Sequence, residues 1–287
     1  MLQYKLVTDS SANLTAEWAR EVLGAETRFT SVPLKIRTAT AEFTDDETLD
    51  LSEMVEALRH NKGPSGSACP NIAEWTAAFG DEECVFAYTI SGNLSGSYAS
   101  AMQAAEDYME SHAGRRVHVF DSLSTGPEMQ LMIEKTQELI LAGKSFDEVV
   151  TGVDAYRKRT RLTFSLESLM NLAANGRVKP AVAKIAGVLG IRVLATASEV
   201  GTIEMLKKAP GERMMLRSMW EIMRECGYKG GKVRLAHCFN EGAAKALAEI
   251  IRAAFGDADV RILPCRGLCS FYAEKGGILV GFETGEE

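Results

Sequence analysis

The sequence predicts an α/β protein with two domains: an N-terminal domain with a mostly parallel sheet and helices on both faces, and a C-terminal α/β domain with a mixed sheet. In the first half, short apolar segments alternate with amphipathic helical segments, which is typical of a parallel sheet between helices. In the second half, two strand-like segments surround a turn near Gly201, which indicates antiparallel pairing. Because 287 residues exceed one ordinary core, we place the domains at 1–159 and 160–287.

The elements of the N-terminal domain are predicted from apolar periodicity and helix caps. Asp50 and Glu53 have the spacing of a capping box, and apolar residues recur at helical intervals after them. Ser145 and Glu148 mark the beginning of a later helix in the same way. The prediction comprises strands at 4–8, 85–90 and 117–120, and helices at 14–23, from 51, 71–79, 98–112, after 126, and 145–159.

The elements of the C-terminal domain follow from the same signals. Leu166, Leu169 and Leu172 predict a helix that ends at Asn175–Gly176, a common helix stop. The remaining prediction comprises strands at 191–196, 199–206, 233–238, 260–265 and 276–282, and helices at 212–226 and 241–255.

Several methionines either line an adaptable apolar pocket or pack as ordinary core residues, and we favour packing. They are Met205, Met214, Met215, Met219 and Met223.

The composition excludes some classes of partner. A net charge of −7 disfavours nucleic acid and anionic membrane as general partners. No segment of about 18 residues lacks charged side chains, and the first residues lack the features of a signal peptide. Cys265 and Cys269 are expected to be reduced, packed thiols, with a metal or redox pair as the alternative. We therefore expect a cytoplasmic protein.

Serine-rich loops follow three predicted strands, at 9–11, 91–97 and 121–125. Ligands of open α/β sheets bind beyond the carboxyl ends of the strands. The loop at 91–97 also leads into a helix, whose first N–H groups and dipole favour an anion. The alternative interpretation is that Ser95 or Ser97 merely caps this helix.

Two further features have the chemistry of an anion site. A loop at 65–70 has the same composition, and it is either a ligand-binding loop or a plain turn with a helix cap. Arg177 follows the helix stop and is either a solvated charge or a partner for a carboxylate or phosphate. No nucleophile elbow, Walker loop or dinucleotide fingerprint occurs, and no histidine has the context of a general base. This combination favours a binding protein over a catalyst.

Five motifs occur in the order and spacing of one known family. They are Val7–Leu14, Val32–Leu34, Ile90–Tyr98, Phe120–Ser122 and Asn175–Val178. Through these motifs, over essentially the whole chain, the sequence resembles the DegV family. The resemblance implies two α/β domains with a long-chain fatty acid between them, its carboxylate at the serine-rich loops of the first domain and its acyl chain in the second. It also implies that the chain itself catalyses no covalent reaction. In this interpretation it presents the carboxyl group to the separate catalytic subunit of a fatty acid kinase.

The resemblance also assigns individual residues to the ligand. Ser67 stands at the threonine of a Thr-Ser-x-Pro loop, and Ser91 and Ser95 match serines of the carboxylate loop. Arg177 matches the arginine of a Gly-Gly-Arg turn, which is associated with the head-group network or with kinase docking. The ligand-binding residues predicted in this way are Ser67, Ser91, Gly92, Asn93, Ser95, Arg177 and Tyr272.

The sequence departs from the family pattern at three places. Gly92 stands where a second serine is common, and Asn175 replaces the first glycine of the arginine turn. Many members have a histidine in a His-x-Gly-x-Gly segment near the C-terminus, whereas this chain offers Tyr272 or Ser270 as substitute donors. The departures leave fatty acid binding in place and bear mainly on the coupling to a kinase.

The expected ligand is thus a fatty acid, with no cofactor, no nucleic acid and at most a transient membrane contact. Two alternatives come from other functional classes. One is an enzyme that transfers a phosphoryl or acyl group to a small molecule, and the other is a sensor that responds to a lipid.

Overall fold

A computed structural model of the protein describes residues 4–181, 183 and 190–285. The described strands are β1 (Tyr4–Asp9), β2 (Arg28–Val32), β3 (Lys35–Arg37), β4 (Glu42–Thr44), β5 (Gly66–Ala68), β6 (Cys84–Thr89), β7 (Arg116–Asp121), β8 (Thr160–Leu166), β9 (Ile191–Ala197), β10 (Ile203–Pro210), β11 (Lys232–His237), β12 (Asp259–Pro264) and β13 (Ile278–Glu283). The helices named below are α1 (Ala16–Val22), α2 (Leu51–His60), α3 (Ile72–Phe79), α4 (Ser97–Ser111), α5 (Pro127–Leu141), α6 (Phe146–Arg157), α7 (Met170–Ala174), α8 (Gly211–Glu225), α9 (Glu241–Ala254) and α10 (Gly267–Ala273).

The N-terminal sheet has the strand order β2-β1-β6-β7, and all three pairings are parallel. Alternate residues point to opposite faces, so that Leu6 and Phe86 pack against α1, α5 and α6 while Val7 and Val85 pack against α3 and α4. The predicted parallel sheet with helices on both faces is confirmed. β1 and β6 are neighbours whose connections leave in opposite directions, and such a switch point places their following loops around a crevice.

A small antiparallel sheet, β4-β3-β5, lies beside the N-terminal sheet. Its strands have only three residues each, which is too short for a periodic apolar signal. The prediction of a simple loop at 65–70 is therefore wrong, because Gly66–Ala68 pairs with β3 as β5.

The C-terminal sheet has the strand order β10-β9-β8-β13-β11-β12 and is mixed, as predicted, since only β11 and β12 pair in parallel. One face, including Ile278 and Val280, packs on α8 and α9. The other face carries Phe164 and Leu279, which are paired residues of β8 and β13. The two faces therefore have separate apolar surroundings.

Leu166 corrects one sequence prediction. It is the last residue of β8, whereas the helix that we predicted from Leu166 begins only at Met170. The leucine spacing of three residues imitates helical periodicity because a strand end is followed directly by a short helix. The division of the chain after residue 159 stays a prediction.

Helix α5 lies between the two large sheets. Met129, Met132 and Ile133 face the N-terminal sheet, while the opposite side of the helix packs on β11 and β13. The buried Glu134 on that side receives two hydrogen bonds from the guanidinium of Arg234 in β11, at 2.7 and 2.5 Å. A bidentate pair of this kind fixes both the distance and the orientation of the two elements.

Gly281 shows how closely α5 approaches the C-terminal sheet. A Cβ atom at this position would lie 2.6 Å from the backbone nitrogen of Glu128. The obstacle is backbone of the first helical turn, which cannot rotate away as a flexible side chain can.

We expect Gly281→Ala to lower the free energy of unfolding by about 1–3 kcal/mol, the usual cost of overpacking a core. Urea denaturation followed by circular dichroism measures the change. Gly242→Ala is the matched control, because no atom lies within 4 Å of its added Cβ and it sits in α9, where alanine favours the helix. Equal stability of the two variants would contradict the close packing of α5 on β13.

Candidate functional site

A cavity lies between the inner face of the C-terminal sheet, helix α10 and the loops that follow β6 and β7. It encloses about 780 Å³ of empty space, including the part that opens to solvent. Its wall is formed by both halves of the chain.

Most of the cavity wall is aliphatic. Leu162, Phe164 and Leu166 alternate along β8, so the strand points all three to the same side, and Leu279 lies opposite Phe164 on β13. The apolar lining residues are Leu34, Ile90, Leu94, Leu162, Phe164, Leu166, Leu172, Ala197, Ile203, Leu268, Ala273 and Leu279. An apolar molecule gains free energy by leaving water for such a surface.

The polar part of the wall consists almost entirely of neutral groups. These lining residues are Ser67, Ser95, Ser124, Thr125, Thr202, Cys269 and Tyr272. Among the lining residues that the structure describes, Arg177 alone carries a formal charge. The cavity thus combines a long apolar wall with hydroxyl donors and one positive group.

Ser67, Tyr272 and Arg177 form a connected group at the polar part of the cavity. The Ser67 Oγ and Tyr272 hydroxyl atoms are 2.9 Å apart and share a hydrogen bond. The guanidinium carbon of Arg177 lies 5.9 Å from the centroid of the Tyr272 ring, and its Nε donates to the Leu94 carbonyl at 3.0 Å. Arg177 also donates to the carbonyl of Asn175. Its side chain is therefore held in place and is not a freely solvated charge.

Ser91 and Asn93 have other partners in the structure. Ser91 Oγ donates to the carbonyl of Gly201 at 2.7 Å, and Asn93 Nδ2 donates to the carbonyl of Val200 at 2.6 Å. The Gly92 N–H donates to Asp121 Oδ1 at 3.1 Å. None of the three is among the residues that line the cavity. Ser91 and Asn93 thus hold the turn between β9 and β10, next to Thr202 and Ile203, which do line the cavity.

The beginning of α4 is not capped by a serine side chain. The N-cap residue is Gly96, and Ser97 Oγ instead donates to the buried carboxylate of Asp9 at 2.7 Å. Asp9 also accepts from the Ile90 N–H at 3.0 Å. Burial raises the pKa of Asp9, while these hydrogen bonds favour its ionised form. Ser95 accepts from the Ser97 N–H at 3.3 Å and lines the cavity.

The seven predicted ligand residues therefore separate into two groups. Ser67, Ser95, Arg177 and Tyr272 line one cavity, although they come from distant parts of the chain. Ser91, Gly92 and Asn93 lie beside it and contact protein groups.

Four polar lining residues were not predicted from the sequence to bind a ligand, namely Ser124, Thr125, Thr202 and Cys269. Ser124 and Thr125 belong to the third serine-rich loop, whose position after β7 was a usable signal. Cys269 is buried, its thiol donates to the Ser11 carbonyl at 3.3 Å, and burial raises its pKa to about 12. Cys265 and Cys269 are both free thiols. In the described part of the chain, no three His, Cys, Asp or Glu side chains are grouped as metal ligands would be.

Three of the four methionines of α8 are core residues, as we favoured. Met215, Met219 and Met223 are buried among the residues between α8, α9 and the C-terminal sheet, away from the cavity face. Met214 is exposed, and Met205 packs only partly against the apolar cluster near the cavity.

Within residues 4–181, 183 and 190–285, no helix has the length and apolar character required to cross a bilayer.

Comparison with known proteins gives a consistent result. The family model described as "Uncharacterised protein, DegV family" matches residues 3–284. A DegV domain-containing protein of Streptococcus pneumoniae is 43% identical over 257 residues, which cover 90% of this chain and 92% of that protein.

Two solved structures have the same fold over nearly the whole chain. One is a DegV family protein from Eubacterium eligens loaded with heptadecanoic acid, with a TM-score of 0.94, 43% identity and coverage of 98% of this chain and 100% of that one. The other is the Streptococcus pneumoniae Fatty Acid Kinase (Fak) B3 protein loaded with linoleic acid, with a TM-score of 0.93, 39% identity and coverage of 99% and 100%.

The contacts of Ser91 and Asn93 lead to a prediction about the turn between β9 and β10. We expect Ser91→Ala with Asn93→Ala to speed amide hydrogen exchange at 198–203, because two hydrogen bonds worth about 1 kcal/mol each are removed. Exchange measured by mass spectrometry checks this. The exposed Ser52→Ala in α2 serves as the control. Unchanged exchange in the turn would show that the two side chains do not restrain it.

Proposed function

This chain belongs to the DegV family, and we propose that it binds a long-chain fatty acid in the cavity described above. The observation that carries the proposal is the chemistry of the cavity wall. A fatty acid has one apolar chain and one negative head group. The lining residues offer a continuous aliphatic surface, several hydroxyl donors and the single positive charge of Arg177. The two related structures loaded with heptadecanoic and linoleic acid support the same ligand class.

The acyl chain supplies most of the affinity in this proposal. Burying a CH₂ group contributes about 0.8 kcal/mol, so a chain of about 15 carbons contributes roughly 12 kcal/mol before ordering costs are subtracted. Those costs, and the lost freedom of the ligand, remove a good part of the gain. Phe164, Leu166 and Leu279 are the centre of the surface that takes up the chain. We accordingly assign chain binding mainly to residues 160–287.

The head group is oriented by the polar residues of the wall. We assign the carboxylate to Ser67, Ser95 and Tyr272, with Ser124 and Thr125 as further donors and Arg177 as the nearby positive charge. Tyr272 stands in for the histidine that many members of the family have in this segment. Ser91 and Asn93 act indirectly in this assignment, because they hold the turn that brings Thr202 to the cavity.

We further propose that the chain presents the carboxyl group to the catalytic subunit of a fatty acid kinase and performs no covalent chemistry itself. The similarity to the Fak B3 protein supports such a partner. The described lining residues include no histidine, lysine or carboxylate that could serve as a general base. Cys269 is a poor nucleophile at neutral pH, because a pKa of about 12 leaves its thiol protonated.

We assign the protein to the cytoplasm. The six free cysteines fit a reducing compartment, where thiols persist. The proposed partner uses ATP, which is consistent with the same location.

Organic extraction of the purified protein, followed by mass spectrometry, should identify a fatty acid.

We expect Tyr272→Phe and Ser67→Ala each to weaken binding of the free acid about tenfold, because a hydrogen bond to a charged group contributes about 1.5–3 kcal/mol. Binding of the corresponding methyl ester should change little. Tyr228→Phe is the control, since the Tyr228 hydroxyl donates to Gly231 in the C-terminal core. Loss of acid and ester binding to the same extent would refute the head-group assignment.

The partner role is tested by turnover. With ATP and a fatty acid kinase catalytic subunit, we expect the bound acid to be converted to an acyl phosphate, detected as a hydroxamate after trapping with hydroxylamine. The chain alone, with ATP and fatty acid, should give no product. Turnover by the chain alone would instead favour an acyl- or phosphoryl-transfer enzyme.

A further inference from the structure

Asp45 is a buried carboxylate at the base of helix α10. It follows β4 directly, and only 1% of its surface is exposed. Its two oxygens accept hydrogen bonds from the first two N–H groups of α10, those of Gly267 at 2.7 Å and Leu268 at 2.8 Å. One side chain from the N-terminal half thus binds the first turn of a C-terminal helix through two separate atoms.

The approach of Asp45 to this helix requires a glycine. A Cβ atom at Gly267 would lie 2.7 Å from Asp45 Oδ1 and 2.7 Å from Leu49 Cδ2. The backbone N–H of Asp45 itself donates to the Leu34 carbonyl at 2.9 Å, and the Leu34 N–H donates to Ser10 Oγ at 3.0 Å. The backbone that carries the carboxylate is therefore fixed as well.

Tyr272 lies near the other end of α10 and contacts the same small sheet, β4-β3-β5. Its hydroxyl shares the 2.9 Å hydrogen bond with Ser67, a residue of β5. β4 and β5 both pair with β3, so Asp45 and Ser67 have a common support. Helix α10 is thus joined to one sheet at both ends. Between them, Leu268, Cys269 and Tyr272 face the cavity.

Asp45 does not line the cavity. Burial raises its pKa, while the N–H groups of Leu268 and Gly267 favour the ionised form. Helix α10 has seven residues and is packed on most sides, with Leu268, Cys269 and Phe271 buried. Among the hydrogen bonds described, Asp45 is the group that binds the N–H groups of its first turn. A rotation of α10 about its axis would separate Tyr272 from Ser67 and leave the aliphatic wall on β8 and β13 unchanged.

We propose that Asp45 is a positioning residue of the head-group site: by holding the first turn of α10, it sets the Tyr272 hydroxyl against Ser67 so that both can bind one carboxylate. This inference rests on the proposed function and adds a residue outside the cavity to it. It implies that Asp45 controls discrimination between a free acid and its ester, and has little influence on binding of the acyl chain.

The test compares the dissociation constants of a long-chain fatty acid and its methyl ester for the wild type, Asp45→Asn and Asp46→Asn. Asparagine keeps one acceptor and loses the other, so we expect Asp45→Asn to weaken acid binding about tenfold and to change ester binding less than about twofold. Asp46→Asn should resemble the wild type, because the Asp46 carboxylate accepts only from Thr48 among the hydrogen bonds described. Gly267→Ala places a methyl group against the Asp45 carboxylate and is the alternative variant if Asp45→Asn folds poorly.

A double-mutant cycle with Tyr272→Phe distinguishes positioning from simple stabilisation. If Asp45 acts through Tyr272, Tyr272→Phe should lose most of its effect on acid binding in the Asp45→Asn protein. Additive effects, or an equal loss of acid and ester binding, would overturn the inference. Failure of the wild type to bind any fatty acid would instead overturn the proposed function, on which the inference depends.

Discussion

The ion pair between Arg234 and Glu134 is the constraint on which the cavity depends. Both side chains are buried, at 1% and 6% exposure, and Asp259 adds a further hydrogen bond to the guanidinium at 2.7 Å. Removing one partner from such a group leaves an uncompensated buried charge, which typically costs about 3–5 kcal/mol. Because α5 belongs to the N-terminal half and β11 to the C-terminal sheet, the pair resists any separation of the two. The pair accordingly holds together the two halves whose residues line the cavity.

Polar side chains of α5 have hydrogen-bond partners in both halves of the protein. On α5, Glu128 accepts from Thr160 at 2.7 Å, and Gln137 donates to the Leu23 carbonyl at 2.9 Å. A helix that is buried on nearly all sides ordinarily has apolar residues all around its axis. Helix α5 also has buried polar side chains, and these form hydrogen bonds with residues of both halves of the protein. The helix therefore joins the two halves through hydrogen bonds as well as through apolar packing.

Sequence patterns predicted most of the long elements of the fold, although not β8. Of the seven ligand residues predicted through the resemblance, Ser67, Ser95, Arg177 and Tyr272 line the cavity. Tyr88 and Phe120 lie in buried strands with a clear apolar signal, and the caps at Asp50 and Ser145 were recognisable from spacing alone. The small sheet could not be predicted, because strands of three residues have no periodicity. Leu166 was misassigned because a strand that ends next to a short helix presents leucines at helical spacing.

The serine-rich loop at 91–97 shows the limit of reasoning from donor-rich motifs. Its composition predicted a site for a ligand anion, whereas several of its donors bind carbonyl and carboxylate oxygens of the protein itself. Ser91 binds Gly201, Asn93 binds Val200, and Ser97 binds Asp9. A buried donor must find an acceptor within the fold or in a ligand, since leaving it unpaired costs about 1–3 kcal/mol. The donors available to a ligand are therefore those that remain after internal partners are counted. In this loop Ser91 and Asn93 are used within the protein, whereas Ser95 lines the cavity, and for this reason we propose Ser95 together with Ser67 and Tyr272 for the head group.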